Sequence, residues 1–92
     1  MRFQFDPTKA AANLRKHGVS FADAEGVFAD PLAAHRTDPD SEGEERFVAL
    51  GLGSAGLILV VIYALRGNDI RFFSAPYLPN AATRREVKAY AS

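Results

Sequence analysis

Nineteen consecutive residues, 47–65, carry no charge, and no other feature restricts the fold so strongly. The run reads FVALGLGSAGLILVVIYAL. Its length reaches the lower range for a helix that crosses a membrane. Its centre argues against one, because Gly51, Gly53, Ser54 and Gly56 put turn-formers where a spanning helix is richest in Leu and Ile. The flanking stretches, residues 47–50 and 57–63, are rich in strand-formers. The run is therefore expected to fold as a hairpin of two buried strands joined by a glycine-rich loop.

The remaining segments follow from local signals. Phe3 and Phe5 alternate with Arg2 and Gln4, which makes a short opening strand. Asp6 is placed to cap a helix that has Pro7 at its first position, where the missing N–H costs nothing. In that helix Pro7, Ala10, Ala11 and Leu14 share one face, and Lys9, Asn13 and Lys16 or His17 the opposite one. Gly18 ends it as a left-handed cap. Ser20 opens a second helix through an S-x-x-D start, with Phe21, Ala24, Val27 and Phe28 as its apolar stripe and Asp30-Pro31 as its stop. Residues 32–37 suit a short edge strand, and TDPDSEGEE, residues 37–45, an acidic loop. After the hairpin come a turn at 66–69, a strand over 70–75 (IRFFSA), a connector PYLPN and a closing helix over 81–90. The order is one strand, two helices, an antiparallel meander of about four strands, and a helix. That is an α+β fold in a single domain, residues 1–92.

The chain has no cysteine, which excludes disulfides and thiolate metal sites and suits a reducing compartment. No basic stretch followed by an apolar one opens it, so a cytoplasmic protein is expected. A formal net charge of zero hides a pattern. Residues 1–20 hold four basic and one acidic side chain, residues 21–46 two basic and eight acidic, and residues 47–92 five basic and two acidic. The basic ends can meet on one phosphate-attracting face, or the charges can be scattered for solubility.

Most catalytic templates fail. His17 and His35 lack metal-ligand spacing, so no metal is expected. GLGSAG, residues 51–56, has no helix after it and is not a phosphate loop. What remains is basic: Lys9, Asn13, Lys16 and His17 on the first helix, Arg66 and Arg71 in the last hairpin, and Arg84, Arg85 and Lys88 on the closing helix. Cleavage of RNA through its own 2′-hydroxyl needs a base, a cation at the phosphate and an acid for the leaving oxygen, all of which such side chains supply. Spacing alone favours a plainer role for Lys16 and His17, as cations that complement a helix C-terminus.

In order, FDPTKAAANLRKHGVSFADAEGVFADP, EERFVALGLGSAGLILVVIY, IRFFSA and ATRRE…Y resemble the BrnT family of bacterial type II toxins. The resemblance covers roughly residues 3–90. It implies a RelE-like α+β fold and a metal-independent, cofactor-free ribonuclease that halts translation. It also implies a BrnA-like antitoxin with a ribbon-helix-helix DNA-binding domain, through which alone operator DNA is reached. A homodimer and a heterotetramer with the antitoxin are both compatible with it. The family pattern K-x-x-x-N-x-x-K-H-G falls on Lys9, Asn13, Lys16, His17 and Gly18, and E-E-R on Glu44, Glu45 and Arg46. I-R-x-x-S-A falls on Ile70, Arg71, Ser74 and Ala75, and A-T-x-x-E on Ala82, Thr83 and Glu86. Together the basic set and the resemblance make His17, Arg71 and Glu86 the expected catalytic residues and Lys9, Lys16, Arg66, Arg84 and Arg85 the expected RNA-binding ones. Tyr77, Leu78 and Tyr90 are the expected antitoxin anchors.

Three positions depart from the pattern. Leu57 and Pro76 stand where the family has Arg, and Leu65 where it has Glu. Because charge stabilisation at phosphate is commonly the largest catalytic term, a non-catalytic member that keeps the antitoxin interface is the alternative reading. A lipid-surface protein using residues 47–65 is a third.

Overall fold

The computed structural model describes residues 2–78. Five strands form one sheet: β1 (Phe3–Phe5), β2 (Ala34–Thr37), β3 (Phe47–Leu52), β4 (Ile58–Arg66) and β5 (Asp69–Ser74), ordered β1-β5-β4-β3-β2. Two helices, α1 (Pro7–His17) and α2 (Phe21–Glu25), precede β2, and a 3-10 turn at Gly26–Ala29 extends α2. The charge-free run is the β3–β4 hairpin, with Leu50 opposite Val60 and Leu52 opposite Ile58. Among the described residues no helix is long and apolar enough to cross a membrane.

That run lacks the apolar–polar alternation of a one-sided strand because both of its faces are apolar. One face carries Ala49, Leu59, Val61 and Tyr63 against Val19, Phe21, Ala24 and Val27 of the helical layer, and β5 adds Ile70 and Phe72. The other face carries Val48, Leu50 and Val60, with Ile58, Ile62 and Leu78 beside them. Phe72 is fully buried among Phe3, Phe21 and Phe28. Removing such a side chain typically costs about 3–5 kcal/mol.

The sheet is mixed and has five strands, where the sequence suggests an antiparallel one of about four. The four strands β2–β5 alternate in direction, but β1 runs parallel to β5, with Phe3 opposite Ile70 and Phe5 opposite Phe72. The stacked Phe3 and Phe72 rings, 5.3 Å apart, fix that edge.

The second helix is shorter than its apolar stripe suggests. Ser54 N–H, at the hairpin tip, donates to the Asp23 carbonyl (3.1 Å), so the tip lies against the last turn of α2. A Cβ on Gly26 would stand 2.5 Å from Ser54 N. The chain tightens into the 3-10 turn there and stops at Asp30, whose carboxylate accepts from Leu32 N–H (2.9 Å) and Leu52 N–H (2.8 Å). The closing helix expected over 81–90 lies outside the described residues.

Candidate functional site

The caps of α1 are those its sequence indicates. Asp6 accepts from Thr8 N–H (2.8 Å), and Gly18 takes φ +69° and donates to the Leu14 carbonyl (2.9 Å). The orientation of the helix is not. Leu14 is 53% exposed and Asn13 only 5%. The helix turns Asn13 rather than Leu14 to the protein because Asn13 supplies what the chain junctions lack. Its Nδ2 donates to the carbonyls of Val19 (2.9 Å) and Ala75 (3.1 Å), and its Oδ1 accepts from Ala75 N–H (2.9 Å). Buried backbone groups at the α1–α2 junction and the end of β5 are satisfied by one side chain.

β5 meets α1 through a bulge. Tyr63 pairs with Phe72 and Ile62 with Ser74, which leaves Phe73 as the extra residue. The bulge resets the alternation, so Ala75 returns to the core while Phe73 and Ser74 stay outside it. Between helix and bulge lies a groove of about 170 Å³, lined by Lys9, Ala12, Asn13, Lys16, His17, Phe73 and Ser74. None of these is acidic. Lys9 Nζ stands over the Phe73 ring at 4.9 Å, and the Arg46 guanidinium at 4.2 Å. The basic last turn of α1, Arg15, Lys16 and His17, complements the negative end of the helix dipole, where the last carbonyls lack helical partners.

Three of the candidate residues, Lys9, Lys16 and His17, thus share one groove. Arg71 is half-buried on the same face of β5 as Phe73, between Ala64 and Gln4 of the neighbouring strands, and does not line the groove. Arg66 is at the end of β4, held by Glu44 in a two-pronged pair (3.0 and 3.0 Å). Leu78 is half-buried against the second sheet face and donates to the Ile58 carbonyl, so it is partly engaged within the fold. Tyr77 is 45% exposed. Arg84, Arg85, Glu86 and Tyr90 lie outside the described residues. Sequence reasoning missed Phe73 and named Arg46 only as part of the E-E-R pattern. The doubled phenylalanine of IRFFSA was the only signal for Phe73, and nothing in the letters announces a bulge.

A second depression is formed by Gly26, Ala29, Asp30, Pro31, Leu52, Gly53 and Ser54. Its one acid, Asp30, is committed to two backbone N–H groups that hold its carboxyl below the usual range. His35 Nδ1 lies 2.9 Å from the Tyr63 hydroxyl, whose pKa is raised by burial. Among the described residues no three His, Asp or Glu side chains are grouped as a metal site would need.

These features define a class first: a small α+β domain with a cation-bearing groove between α1 and β5, free of acids among the described residues. The chain belongs to the BrnT family, since residues 5–86 match the family described as "Ribonuclease toxin, BrnT, of type II toxin-antitoxin system". Among solved structures it is similar to the Brucella abortus ribonuclease toxin BrnT, at 24% identity and a TM-score of 0.65, over 87% of this chain and 99% of that one. No curated protein sequence matches the chain.

Proposed function

We propose that the chain is a ribonuclease toxin that cleaves RNA without metal in the groove between α1 and β5. One observation carries the reading: Lys9, Lys16 and His17 line a single groove to which the described residues contribute no acid. In the proposed chemistry a base takes the proton from a 2′-hydroxyl, whose oxygen attacks the adjacent phosphorus. The 5′-oxygen leaves with a proton from an acid, and a 2′,3′-cyclic phosphate remains. His17 is the groove side chain suited to proton transfer near neutrality. Lys9 and Lys16 offset charge on the phosphate, with Arg71 at the next position along the strand face. Glu86, Arg84 and Arg85, outside the described residues, complete the proposed set of functional side chains. The reading extends to a cytoplasmic toxin that blocks translation, neutralised by a BrnA-like ribbon-helix-helix antitoxin that carries the pair to operator DNA.

The departures bear on turnover. Leu57 and Leu65 flank opposite ends of β4, roughly 26 Å apart along an extended strand, so they do not create one apolar site. The bond from Arg66 to Glu44 favours the second reading, a non-catalytic antitoxin-binding module, because it occupies one of the surviving cations.

The test is incubation of the purified chain with single-stranded RNA in EDTA. Fragments with cyclic-phosphate ends are expected. Intact RNA, in a preparation that still binds its antitoxin, selects the second reading.

A further inference from the structure

Phe73 is the residue that the bulge adds to β5, and proton transfer to or from RNA makes no use of a phenyl ring. Its surroundings are unusual for an outward-facing aromatic. Lys9 comes from α1 and Arg46 from the residue before β3, and their charges stand 4.9 and 4.2 Å from the same ring centroid. Two like charges repel, so something must hold them near one another. Among the described residues no carboxylate pairs with either cation, and Glu44 is bonded to Arg66. Arg46 Nε is buried and has no hydrogen-bond partner among the described residues. The negative face of the ring is the group on hand that attracts both cations.

We propose that Phe73, which lines the α1–β5 groove with Lys9, is a positioning residue that holds Lys9 and Arg46, itself outside the groove lining, as a two-cation seat for one RNA phosphodiester beside the groove, which makes Arg46 a substrate-binding residue. The inference rests on the ribonuclease reading. A phosphodiester matches the seat chemically. The planar guanidinium can take two of its oxygens, and the lysine ammonium acts as a point charge beside them. The bulge is the device that makes the seat. It keeps Phe73 and Ser74 together at the groove, and Asn13 anchors the next residue, Ala75, to α1.

The experiment measures binding of a labelled, uncleavable 2′-O-methyl single strand to the full chain across a range of salt concentrations. Each phosphate contact to a single strand contributes about −0.7 to the slope of log K against log salt. Phe73→Leu, which removes the ring but keeps an apolar side chain, should bind more weakly and flatten the slope by ~0.7 or more. Phe73→Tyr should restore both affinity and slope. Lys9→Gln and Arg46→Gln leave the ring untouched, and each should flatten the slope by ~0.7, so they read the seat even if the leucine variant folds poorly. Adding Lys9→Gln to Phe73→Leu should change little further, because the lysine is already unseated. In cleavage of natural RNA, Phe73→Leu should raise KM more than it lowers kcat. A folded Phe73→Leu with wild-type slope and affinity, or full effects of Lys9→Gln in its background, would overturn the seat. A wild type that binds the strand with these slopes but leaves RNA intact removes the ribonuclease reading and upholds the seat. A wild type that binds no RNA overturns both.

Discussion

Asn13 and Ala75, sixty-two residues apart, exchange two hydrogen bonds: Ala75 N–H donates to the Asn13 Oδ1 at 2.9 Å, and the Asn13 Nδ2 donates back to the Ala75 carbonyl at 3.1 Å. This clamp fixes the distance between α1, which carries Lys9, Lys16 and His17, and the bulged end of β5. Asn13→Ala would leave the Ala75 N–H and carbonyl and the Val19 carbonyl buried without their partner. A loss of about 2–4 kcal/mol is expected, measured by urea unfolding. A variant with the wild-type midpoint would show that the clamp contributes nothing.

Gly26→Ala should destabilise the protein, against the trend for helical positions. Alanine is the better helix residue by about 1 kcal/mol. Its Cβ, however, would lie 2.5 Å from the backbone nitrogen of Ser54, which bonds to Asp23 and cannot move alone. Overpacking of this kind typically costs about 1–3 kcal/mol. Thermal unfolding checks the sign: a higher Tm would mean the hairpin tip is not tied to α2.

Gly18→Val tests a different cost. No atom lies within 4 Å of the added Cβ, so the penalty is backbone strain at φ +69° rather than a clash. About 1 kcal/mol or more is expected, with Gly18→Asn milder because asparagine tolerates that conformation. Equal losses for Asn and Val would argue against a left-handed cap.

Asp69 gives a pH dependence of known sign. The side chain of Gln4 donates to it at 2.6 Å and is the main cause that holds its carboxyl below the usual range, with Arg2 at 3.4 Å assisting. Its folded pKa is therefore depressed. The stability it contributes is fully present above the unfolded aspartate value, about 3.9, and is lost as pH falls through the lower folded value. Asp30 acts in the same direction. Urea midpoints measured from pH 6 downward should decline less steeply in Asp69→Asn than in wild type; parallel declines would contradict the assignment.

Exposed Tyr77, the proposed antitoxin anchor, follows the core residue Ala75 by two positions and is bridged to Leu59 of β4, which holds it to the sheet. Tyr77→Ala is expected to weaken capture of the proposed antitoxin partner, and Tyr77→Ala with Tyr90→Ala to weaken it further. Undiminished pull-down would move the interface elsewhere.

The fold was largely legible because its strongest signals are local. Asp6, Pro7 and Gly18 delimit α1, Ser20 starts α2, and Gly53 to Gly56 break the apolar run into β3 and β4. What was not legible depends on long-range partners. The face of α1 was misjudged because periodicity ranks Leu14 above Asn13 for burial. The open backbone groups of Val19 and Ala75, which no local rule exposes, reverse that order. The parallel β1–β5 pairing requires knowing where the chain returns sixty-seven residues later. In the groove, the basic residues of α1 were recognisable by type, whereas Phe73 and Arg46 meet only because a single-residue bulge shifts the β5 register.

The central claim, that RNA is cut in the groove between α1 and β5, is tested most directly by the cleavage rate of wild type and His17→Ala on single-stranded RNA in EDTA. The account predicts that wild type cleaves without metal. It predicts that His17→Ala is slower by about 10²–10³ while its unfolding midpoint and antitoxin binding are unchanged. A His17→Ala protein that cleaves as fast as wild type would contradict it.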